Sequence, residues 1–246
     1  MSKSWLDWLD TIEEEFTKNK SSFLQQKNIK RTMHPRHGGM NLYLKLNTET
    51  DYLDKLKDSK IGKPDIQFGG THSLTAVQSA YYIYKLKEFF NITPADLHSV
   101  TDIGGGYGNL CYSFYQLDFN GKYTILDFPI INNIQKYFLS NAFWVGDFNY
   151  HCQPLESSNF PPANNNSLFI ATFSINEMPL EDRQIIEPFY KQYKYIMIAH
   201  KHNSAFGVDN TKYFSELRKE LLTTHNVIYH QCPLRTNDHY LIAEKK

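Results

Sequence analysis

Apolar residues recur at helical spacing in two stretches of the first 95 residues. The first stretch has them at Trp5, Leu6, Trp8, Leu9, Ile12 and Phe16, and the second at Leu74, Val77, Tyr81, Tyr84 and Phe89. Steps of three and four residues are typical of an amphipathic helix. Thr71 or Ser73 can cap the second helix. We therefore predict that residues 1–95 form a helical attachment, with an irregular loop over Arg31–Met40.

From about residue 97 onward, short apolar runs alternate with helical stretches. Strands are predicted at Leu97–Ile103, Tyr123–Phe128, Phe143–Val145, Leu168–Phe173 and Tyr195–Ala199, and helices at 108–118, 129–140 and 180–193. This alternation predicts an α/β fold in which helices cover a mostly parallel sheet. The last two runs, Asn226–Cys232 and His239–Glu244, leave no room for a crossover helix and should pair antiparallel as a hairpin. Residues 96–246 are therefore predicted to be one domain.

The charges of the chain balance. Among its 246 residues, 26 are basic and 26 are acidic, so the formal net charge is zero. Binding of a polyanion needs an excess of Lys and Arg, so we expect no nucleic-acid partner. The three scattered cysteines fit neither a disulfide framework nor a zinc site. The sequence shows no signal peptide and no apolar run that could span a membrane, so a cytoplasmic location is expected.

The most informative segment is the glycine-rich turn within Val100–Leu110. A strand is predicted to end near Asp102, glycines follow at 104, 105, 106 and 108, and a helix begins near Asn109. Glycines allow a tight turn and close approach of a ligand to the main chain, while the helix amino terminus adds exposed N–H groups. The dinucleotide fingerprint Gly-x-Gly-x-x-Gly/Ala needs Gly or Ala at position 109. Asn109 therefore disfavours a nicotinamide-dependent oxidoreductase.

The pattern Asp-x-Gly-x-Gly-x-Gly that starts at Asp102 resembles the S-adenosylmethionine loop of class I methyltransferases. The resemblance implies a Rossmann-like class I methyltransferase sheet with an N-terminal helical cap, and S-adenosyl-L-methionine as cofactor. The methionine part of this cofactor carries an ammonium group, which suits an acidic residue ahead of the turn. The cofactor contacts implied in this segment are Asp102, Gly104, Gly106, Tyr107, Gly108 and Asn109.

Carboxylates also follow the next two predicted strands. Asp127 ends the second strand, where a carboxylate can accept hydrogen bonds from both ribose hydroxyls of the cofactor. Asp127-Phe128-Pro129 and Gly146-Asp147-Phe148 resemble the Asp-Leu-Pro and Gly-Asp-aromatic segments of small-molecule O-methyltransferases. That resemblance implies that Asp147 accepts from the adenine amino group and that a neighbouring apolar side chain packs on the ring. Phe128 and Phe148 are therefore further candidate cofactor contacts.

The fourth predicted strand is followed by Ser174, Asn176 and Glu177. Ligands of open α/β sheets bind beyond the carboxyl ends of the strands, which places these residues near the reacting centre and Ser174 among the cofactor contacts. The catalytic His that plant-type O-methyltransferases carry here is absent. Phe173–Pro179 and Gln135–Asn141 resemble instead the bacterial sugar O-methyltransferase family. This resemblance implies that the acceptor is a hydroxyl of a sugar or glycan, in glycan biosynthesis.

Methyl transfer to a sugar hydroxyl needs a group that takes up the hydroxyl proton. His200 at the end of the fifth strand and Glu177 after the fourth are the candidate bases, with His72 as a substrate contact or rival base. Each of them could instead cap a strand or bind substrate without proton transfer. Glu177, His200 and His202 could supply metal ligands, but their spacing matches no dedicated metal motif, and we predict no metal.

Two other functions stay open on the sequence alone. One is a natural-product O- or N-methyltransferase, and the other is a cofactor-binding partner subunit without catalysis. The helices of residues 1–95 could cap the pocket, pair two subunits of a homodimer, or both. The loop His34–Gly39 is polar enough to bind an anionic or sugar group, but it could equally be structural.

Overall fold

The computed structural model describes residues 3–34, 38–143, 148–203 and 207–246. The chain forms two compact units. The helical unit comprises residues 1–95, 106–120 and 129–148, and the sheet unit comprises residues 96–105, 121–128 and 149–246. Two helices that follow the first strands of the sheet therefore group with the amino-terminal helices. A domain boundary at residue 95 stays a prediction.

The described part of the helical unit consists of α-helices, short 3-10 turns and one small hairpin. Its helices are α1 (Lys3–Lys18), α2 (Lys27–Met33), α3 (Gly39–Glu49), α4 (Tyr52–Lys55), α5 (Leu74–Phe90), α6 (Asn109–Gln116) and α7 (Pro129–Ala142). The hairpin joins β1 (Ile66–Phe68) to β2 (His72–Ser73). The predicted helices at the amino terminus and after Ser73 are confirmed. The predicted loop over Arg31–Met40 is wrong at both ends, because α2 continues to Met33 and α3 begins at Gly39.

Polar side chains fix the starts of two of these helices. The Ser73 hydroxyl oxygen accepts a hydrogen bond from the Ala76 N–H at 3.2 Å and so caps α5. The Glu15 carboxylate on α1 accepts from the main-chain N–H groups of Asn28 and Ile29, at 2.9 and 3.1 Å. A carboxylate at a helix amino terminus satisfies donors that the helix leaves open and is favoured by the helix dipole. Glu15 therefore holds the start of α2 against α1.

The sheet unit contains seven described strands in the order β5-β4-β3-β6-β7-β9-β8. They are β3 (Ser99–Ile103), β4 (Lys122–Asp127), β5 (Tyr150–Pro154), β6 (Ser167–Thr172), β7 (Tyr195–His200), β8 (His225–Gln231) and β9 (His239–Lys245). Strands β3 to β7 pair in parallel, and β9 runs antiparallel to both β7 and β8. Helices α8 (Leu180–Tyr190) and α9 (Asn210–Leu221) belong to the same unit. The predicted mostly parallel sheet with an antiparallel carboxy-terminal hairpin is confirmed.

One strand lies in a different place from the prediction. Phe143 follows α7 outside any strand, and the rest of the run Phe143–Val145 lies outside the described residues. The strand that pairs with β4 is instead β5, Tyr150–Pro154. It is an edge strand in which Cys152 alone is buried, so it lacks the apolar run by which buried strands are recognised.

The core of the sheet unit combines aliphatic and aromatic side chains. All five residues of β3 and all six of β7 are buried, as expected for parallel strands with both faces covered. Phe169, Tyr193 and Phe214 lie in the same core cluster. The Tyr193 hydroxyl donates to Thr101 Oγ1 at 2.9 Å, which satisfies a buried polar group. Among the described helices, none is long and apolar enough to cross a membrane.

Candidate functional site

In the glycine turn after β3, the first glycines are tightly packed against other residues, whereas the middle one has free space beside it. The Gly104 N–H donates to the Leu126 carbonyl of β4 at 3.0 Å, and its φ is +70°. A Cβ at Gly104 would lie 2.4 Å from Ser174 Cβ, and one at Gly105 would lie 2.9 Å from Asp102 Oδ2. At Gly106, with a φ of +56°, a Cβ would meet nothing within 4 Å. Glycine is therefore required by packing at the start of the turn, while the middle offers open space to a ligand.

Asp102 is a buried carboxylate with one engaged oxygen. Its Oδ2 accepts a hydrogen bond from the Tyr123 hydroxyl at 2.9 Å, while Oδ1 has no hydrogen-bond partner among the described residues. The side chain is fully buried. Burial raises the pKa of Asp102 to about 7, and the Tyr123 hydroxyl opposes this rise. A buried oxygen without a donor marks a place where a donor from a ligand would be favourable.

Asp127 ends β4, the strand next to β3. It is almost fully buried, and its Oδ1 accepts a hydrogen bond from the Phe128 N–H at 2.8 Å. The Leu155 N–H donates to the main-chain carbonyl of Asp127 at 3.0 Å. These contacts fix the strand end, and Phe128 beside it is half-buried. The assignment of Asp127 to the ribose hydroxyls stays a prediction.

Tyr107 and Asn109 follow the open glycine, but their side chains are engaged within the helical unit. Tyr107 is buried, with its ring centroid 4.9 Å from that of Phe138 and stacked on His34 at 6.0 Å. The Asn109 amide donates to the Ser79 hydroxyl of α5 at 3.0 Å. The part of this segment left to a cofactor is therefore the main chain at the amino terminus of α6 rather than these two side chains.

Two further contacts shape the segment before α6. Gly108, with a φ of +99°, is the N-cap of α6, and a Cβ there would lie 3.2 Å from Leu139 of α7. The Gln135 side-chain amide of α7 donates to the Gly106 carbonyl at 2.9 Å. In the sequence, Gln135 is only one residue of the segment Gln135–Asn141 that carries a resemblance, and its contact with the glycine turn emerges from the structure.

The residues predicted to contact adenine are described only in part. Asp147 lies outside the described residues. The half-buried Phe148 stacks on Phe143 with a centroid distance of 3.9 Å, and its ring is 5.0 Å from that of Tyr115. Phe148 is therefore held in an aromatic cluster of the helical unit, and the adenine roles of Asp147 and Phe148 stay predictions.

The segment after β6 carries a strained residue and two polar ones. Phe173 has a φ of +68°, which a bulky residue rarely adopts, and its N–H donates to the Ala199 carbonyl at 2.8 Å. Strained backbone of this kind concentrates at functional sites. The Ser174 hydroxyl donates to the Ile103 carbonyl at the end of β3. Asn176 is buried, and its Oδ1 accepts from the Lys201 N–H at 3.3 Å.

Glu177 follows Asn176 in the same turn and reaches the surface. The protein atoms around its carboxylate raise its pKa by burial, and the positive charge of Lys201 opposes the rise. Lys201 also places its ammonium 5.5 Å from the centroid of the Phe173 ring. Among the three predicted base candidates, Glu177 alone combines access to the surface with a raised pKa.

His200 does not fit its predicted role as a base that overlooks a pocket. Its side chain is 0% exposed and stacks on Phe214 of α9, with ring centroids 3.7 Å apart. Burial lowers its pKa to about 3, with further lowering by His202 and His239. Each of its ring nitrogens lacks a hydrogen-bond partner among the described residues. His200 is therefore a neutral imidazole in the core of the sheet unit.

His72 does not fit the prediction of a substrate contact or base either. It is buried, and its Nε2 lies 2.8 Å from the Leu53 carbonyl and 3.0 Å from the Leu56 carbonyl. Carbonyls only accept, so Nε2 carries the hydrogen, and Nδ1 accepts from the Thr71 hydroxyl at 2.8 Å. Both nitrogens are thus engaged in holding the turn after α4 to the β1–β2 hairpin.

The remaining sequence candidates add no metal centre in the described ranges. Within those ranges, no group of three or more His, Cys, Asp and Glu side chains is arranged to hold a metal ion. His202 and His239 stack with centroids 3.7 Å apart, and His202 pairs with the Tyr229 hydroxyl. In the polar loop before α3, His34 is described, whereas residues 35–37 lie outside the described part of the chain.

No protein-family model matches the sequence, and no curated protein matches it. Solved structures do match in fold. The methyltransferase domain of bacterial CtHen1 aligns with a TM-score of 0.53 at 11% identity, over 68% of this chain and 97% of that chain. PigF with SAH aligns with a TM-score of 0.50 at 12% identity, over 98% of this chain and 70% of that chain. At this identity the likeness shows the fold, so the chain has the Rossmann-like fold of the CtHen1 methyltransferase domain.

Proposed function

We propose that the protein is an S-adenosylmethionine-dependent O-methyltransferase that transfers a methyl group to a hydroxyl of a sugar or glycan. The observation that carries the proposal is the end of β3. There the fully buried Asp102 has one carboxylate oxygen without a donor in the described structure, and the adjoining turn has open space at Gly106. The methyltransferase fold supports the same function.

The residues at this strand end fit the proposed cofactor. A carboxylate that lacks a donor favours a cationic group nearby, and the methionine part of the cofactor carries an ammonium. The open space at Gly106 allows close approach to the main chain ahead of the amino terminus of α6. Asp127 at the end of β4 would hold the ribose hydroxyls. Asp147, with Phe128 or Phe148, would hold the adenine, as the sequence resemblance implies.

When bound, the cofactor supplies an activated methyl group on a positively charged sulfur. The chain has to hold the acceptor oxygen about 3 Å from that methyl carbon and to take up the hydroxyl proton. We assign the proton to the Glu177 carboxylate, which follows β6 and reaches the surface. Burial raises its pKa, which makes it a stronger proton acceptor than an ordinary carboxylate. Activity should therefore fall as the pH drops through the raised pKa of Glu177.

The choice of a sugar acceptor rests on the segment after β6. This segment resembles the bacterial sugar O-methyltransferases and lacks the His that serves phenol acceptors in plant-type enzymes. Incubation with methyl-labelled S-adenosylmethionine and a panel of nucleotide sugars and glycans tests it. Label in a saccharide is the expected result. Label that enters only another small molecule would contradict the sugar assignment and favour a natural-product methyltransferase.

Calorimetry on Asp127→Ala tests the cofactor assignment. We expect S-adenosylhomocysteine to bind at least tenfold more weakly than to the wild type, because two ribose hydroxyls lose their acceptor. Asp54→Ala, which removes an exposed carboxylate on α4, is the matched control and should bind normally. Unchanged binding to Asp127→Ala would refute the ribose role. Normal binding by the wild type without transfer to any acceptor would favour a partner subunit without catalysis.

A further inference from the structure

Arg183 in the first turn of α8 is a fully buried cation, with 0% of its surface exposed. Its hydrogen bonds go to neutral groups. Nε donates to the Met178 carbonyl at 2.9 Å, and Nη2 donates to the Asn176 carbonyl at 3.3 Å and to Asn210 Oδ1 at 2.7 Å. The guanidinium carbon lies 4.4 Å from the centroid of the Tyr213 ring. The described surroundings of this cation are thus dipoles and an aromatic face, and the charge of Glu187, whose Oε1 accepts from the Tyr213 hydroxyl at 3.2 Å, also acts on it.

Stability alone gives a weak reason to keep such a group. Removing a guanidinium from water costs free energy that carbonyl and amide dipoles only partly offset, and an apolar side chain of similar volume is often as stable or more stable. In agreement, burial lowers the pKa of Arg183, opposed by Tyr213 and Glu187. Nη1 also has no hydrogen-bond partner within the described ranges. The cost of this burial therefore points to a purpose other than stability.

What Arg183 holds is the turn between β6 and α8. Its two main-chain acceptors, Asn176 and Met178, flank Glu177 on either side. Asn210 at the start of α9 also binds this turn. Its side-chain amide donates to the Asn176 carbonyl at 3.0 Å, and its Oδ1 accepts from Arg183. The backbone on both sides of Glu177 is thus fixed by side chains from α8 and α9.

We infer that Arg183 is a positioning residue for methyl transfer, one that fixes the turn Ile175–Met178 so that the Glu177 carboxylate meets the acceptor hydroxyl. This role rests on the proposed function, in which Glu177 takes up the hydroxyl proton. Arg183 itself is buried behind the turn and acts on the reaction through Glu177. Asn210 shares the role, since it joins Arg183 to the Asn176 carbonyl.

A double-mutant cycle tests the inference. Arg183→Met should lower kcat at least tenfold in the wild-type background and less than twofold in the Glu177→Gln background, because the residue acts through Glu177. Binding of S-adenosylhomocysteine should stay within twofold in both variants. Arg218→Met is the matched control, since Arg218 also lies over a tyrosine ring, 5.8 Å from the Tyr229 centroid, but is exposed. Its kcat should match that of the wild type.

Two further measurements apply if Arg183→Met folds poorly or no acceptor is found. Asn210→Ala leaves the buried charge in place and should give the same non-additive loss with Glu177→Gln. Carboxyl-carbon NMR titration of Glu177 needs no activity, and its raised pKa should move towards the ordinary range in Asn210→Ala, which loosens the turn and leaves the Arg183 charge in place. An equal loss of kcat in both backgrounds, or an unchanged Glu177 titration, would overturn the positioning role. Full activity of Glu177→Gln would overturn the positioning role while the methyltransferase assignment stands.

Discussion

Asp102→Asn should stabilise the protein without ligand at neutral pH while weakening cofactor binding. The substitution keeps the shape of the side chain and an oxygen that accepts from the Tyr123 hydroxyl, which donates to Asp102 Oδ2 at 2.9 Å. It removes a carboxylate whose Oδ1 lacks a hydrogen-bond partner in the described structure. A buried carboxylate that destabilises the free protein is the expected signature of a group kept for binding a ligand.

The change in stability expected for Asp102→Asn follows from the raised pKa of Asp102. Burial raises the pKa of Asp102 from 3.8 to about 7, so between these values the folded state holds a proton that the unfolded chain has lost. The wild type should therefore lose stability as the pH rises from about 4 to about 7, by about 4 kcal/mol in total at about 1.4 kcal/mol per pKa unit. The amide escapes this loss but buries an N–H without a partner, which costs about 1–3 kcal/mol. Asp102→Asn should thus gain about 1–3 kcal/mol at pH 8 and lose a similar amount at pH 4.

Thermal melting from pH 4 to pH 8 measures this crossover. A gain of about 2 kcal/mol corresponds to a Tm about 4–8 °C higher for a chain of this size. Asp54→Asn, which changes an exposed carboxylate, is the control and should follow the wild type at every pH. Calorimetry at pH 8 should show S-adenosylhomocysteine binding at least tenfold more weakly to Asp102→Asn. A Tm difference between Asp102→Asn and the wild type that does not vary with pH would refute the reasoning.

Three other substitutions separate the effects of packing from those of chemistry. Gly104→Ala should lower the Tm and abolish cofactor binding, because the new Cβ would lie 2.4 Å from Ser174 Cβ at a φ of +70°. Gly70→Ala is the control, because Gly70 has the same φ but a Cβ there would meet no atom within 4 Å. It should lose only about 1–2 kcal/mol of stability to backbone strain and bind cofactor normally. His200→Leu should keep methyl transfer and a Tm at or above that of the wild type, because it removes buried ring nitrogens that lack partners in the described structure; a folded His200→Leu without transfer would restore His200 as a catalytic candidate.

The fold was predictable where its signals are local. The alternation of apolar runs and helical stretches after residue 97 is written in consecutive residues, as is the hairpin that closes the sheet. The position of strand β5 was not predicted, because β5 lies at the edge of the sheet, where only Cys152 is buried and no apolar run forms. The sequence also did not predict helices α2 to α4 or the hairpin β1–β2. Contacts from residues elsewhere in the chain hold these elements, such as the Glu15 carboxylate at the start of α2.

The glycines of the candidate site were also predictable, because their requirement is a property of the backbone. Positive φ at Gly104, Gly106 and Gly108 is the conformation that glycine adopts at least cost. The contacts made by Tyr107 and Asn109 were not predictable, because their side chains turn to Phe138 and Ser79 from helices that lie far away in sequence. Position in a motif thus specifies the main chain of a residue more reliably than the direction of its side chain.

The histidines show why the catalytic candidates were harder to rank. A polar residue at the end of a parallel strand faces either the ligand edge or a covering helix, and the strand pattern is the same in both cases. In β7 every residue is buried, and His200 packs on Phe214 of α9, a contact that the sequence does not show although the two residues are only 14 positions apart.

The strained backbone at Phe173 could not be predicted either. Its φ of +68° would be expected of Gly or Asn, so a phenylalanine at this position does not indicate it. The strain at Phe173 lies immediately before the turn that Arg183 holds, so the backbone around Glu177 is constrained from both sides. Such constraint is what a base requires if its carboxylate is to meet one hydroxyl in one orientation.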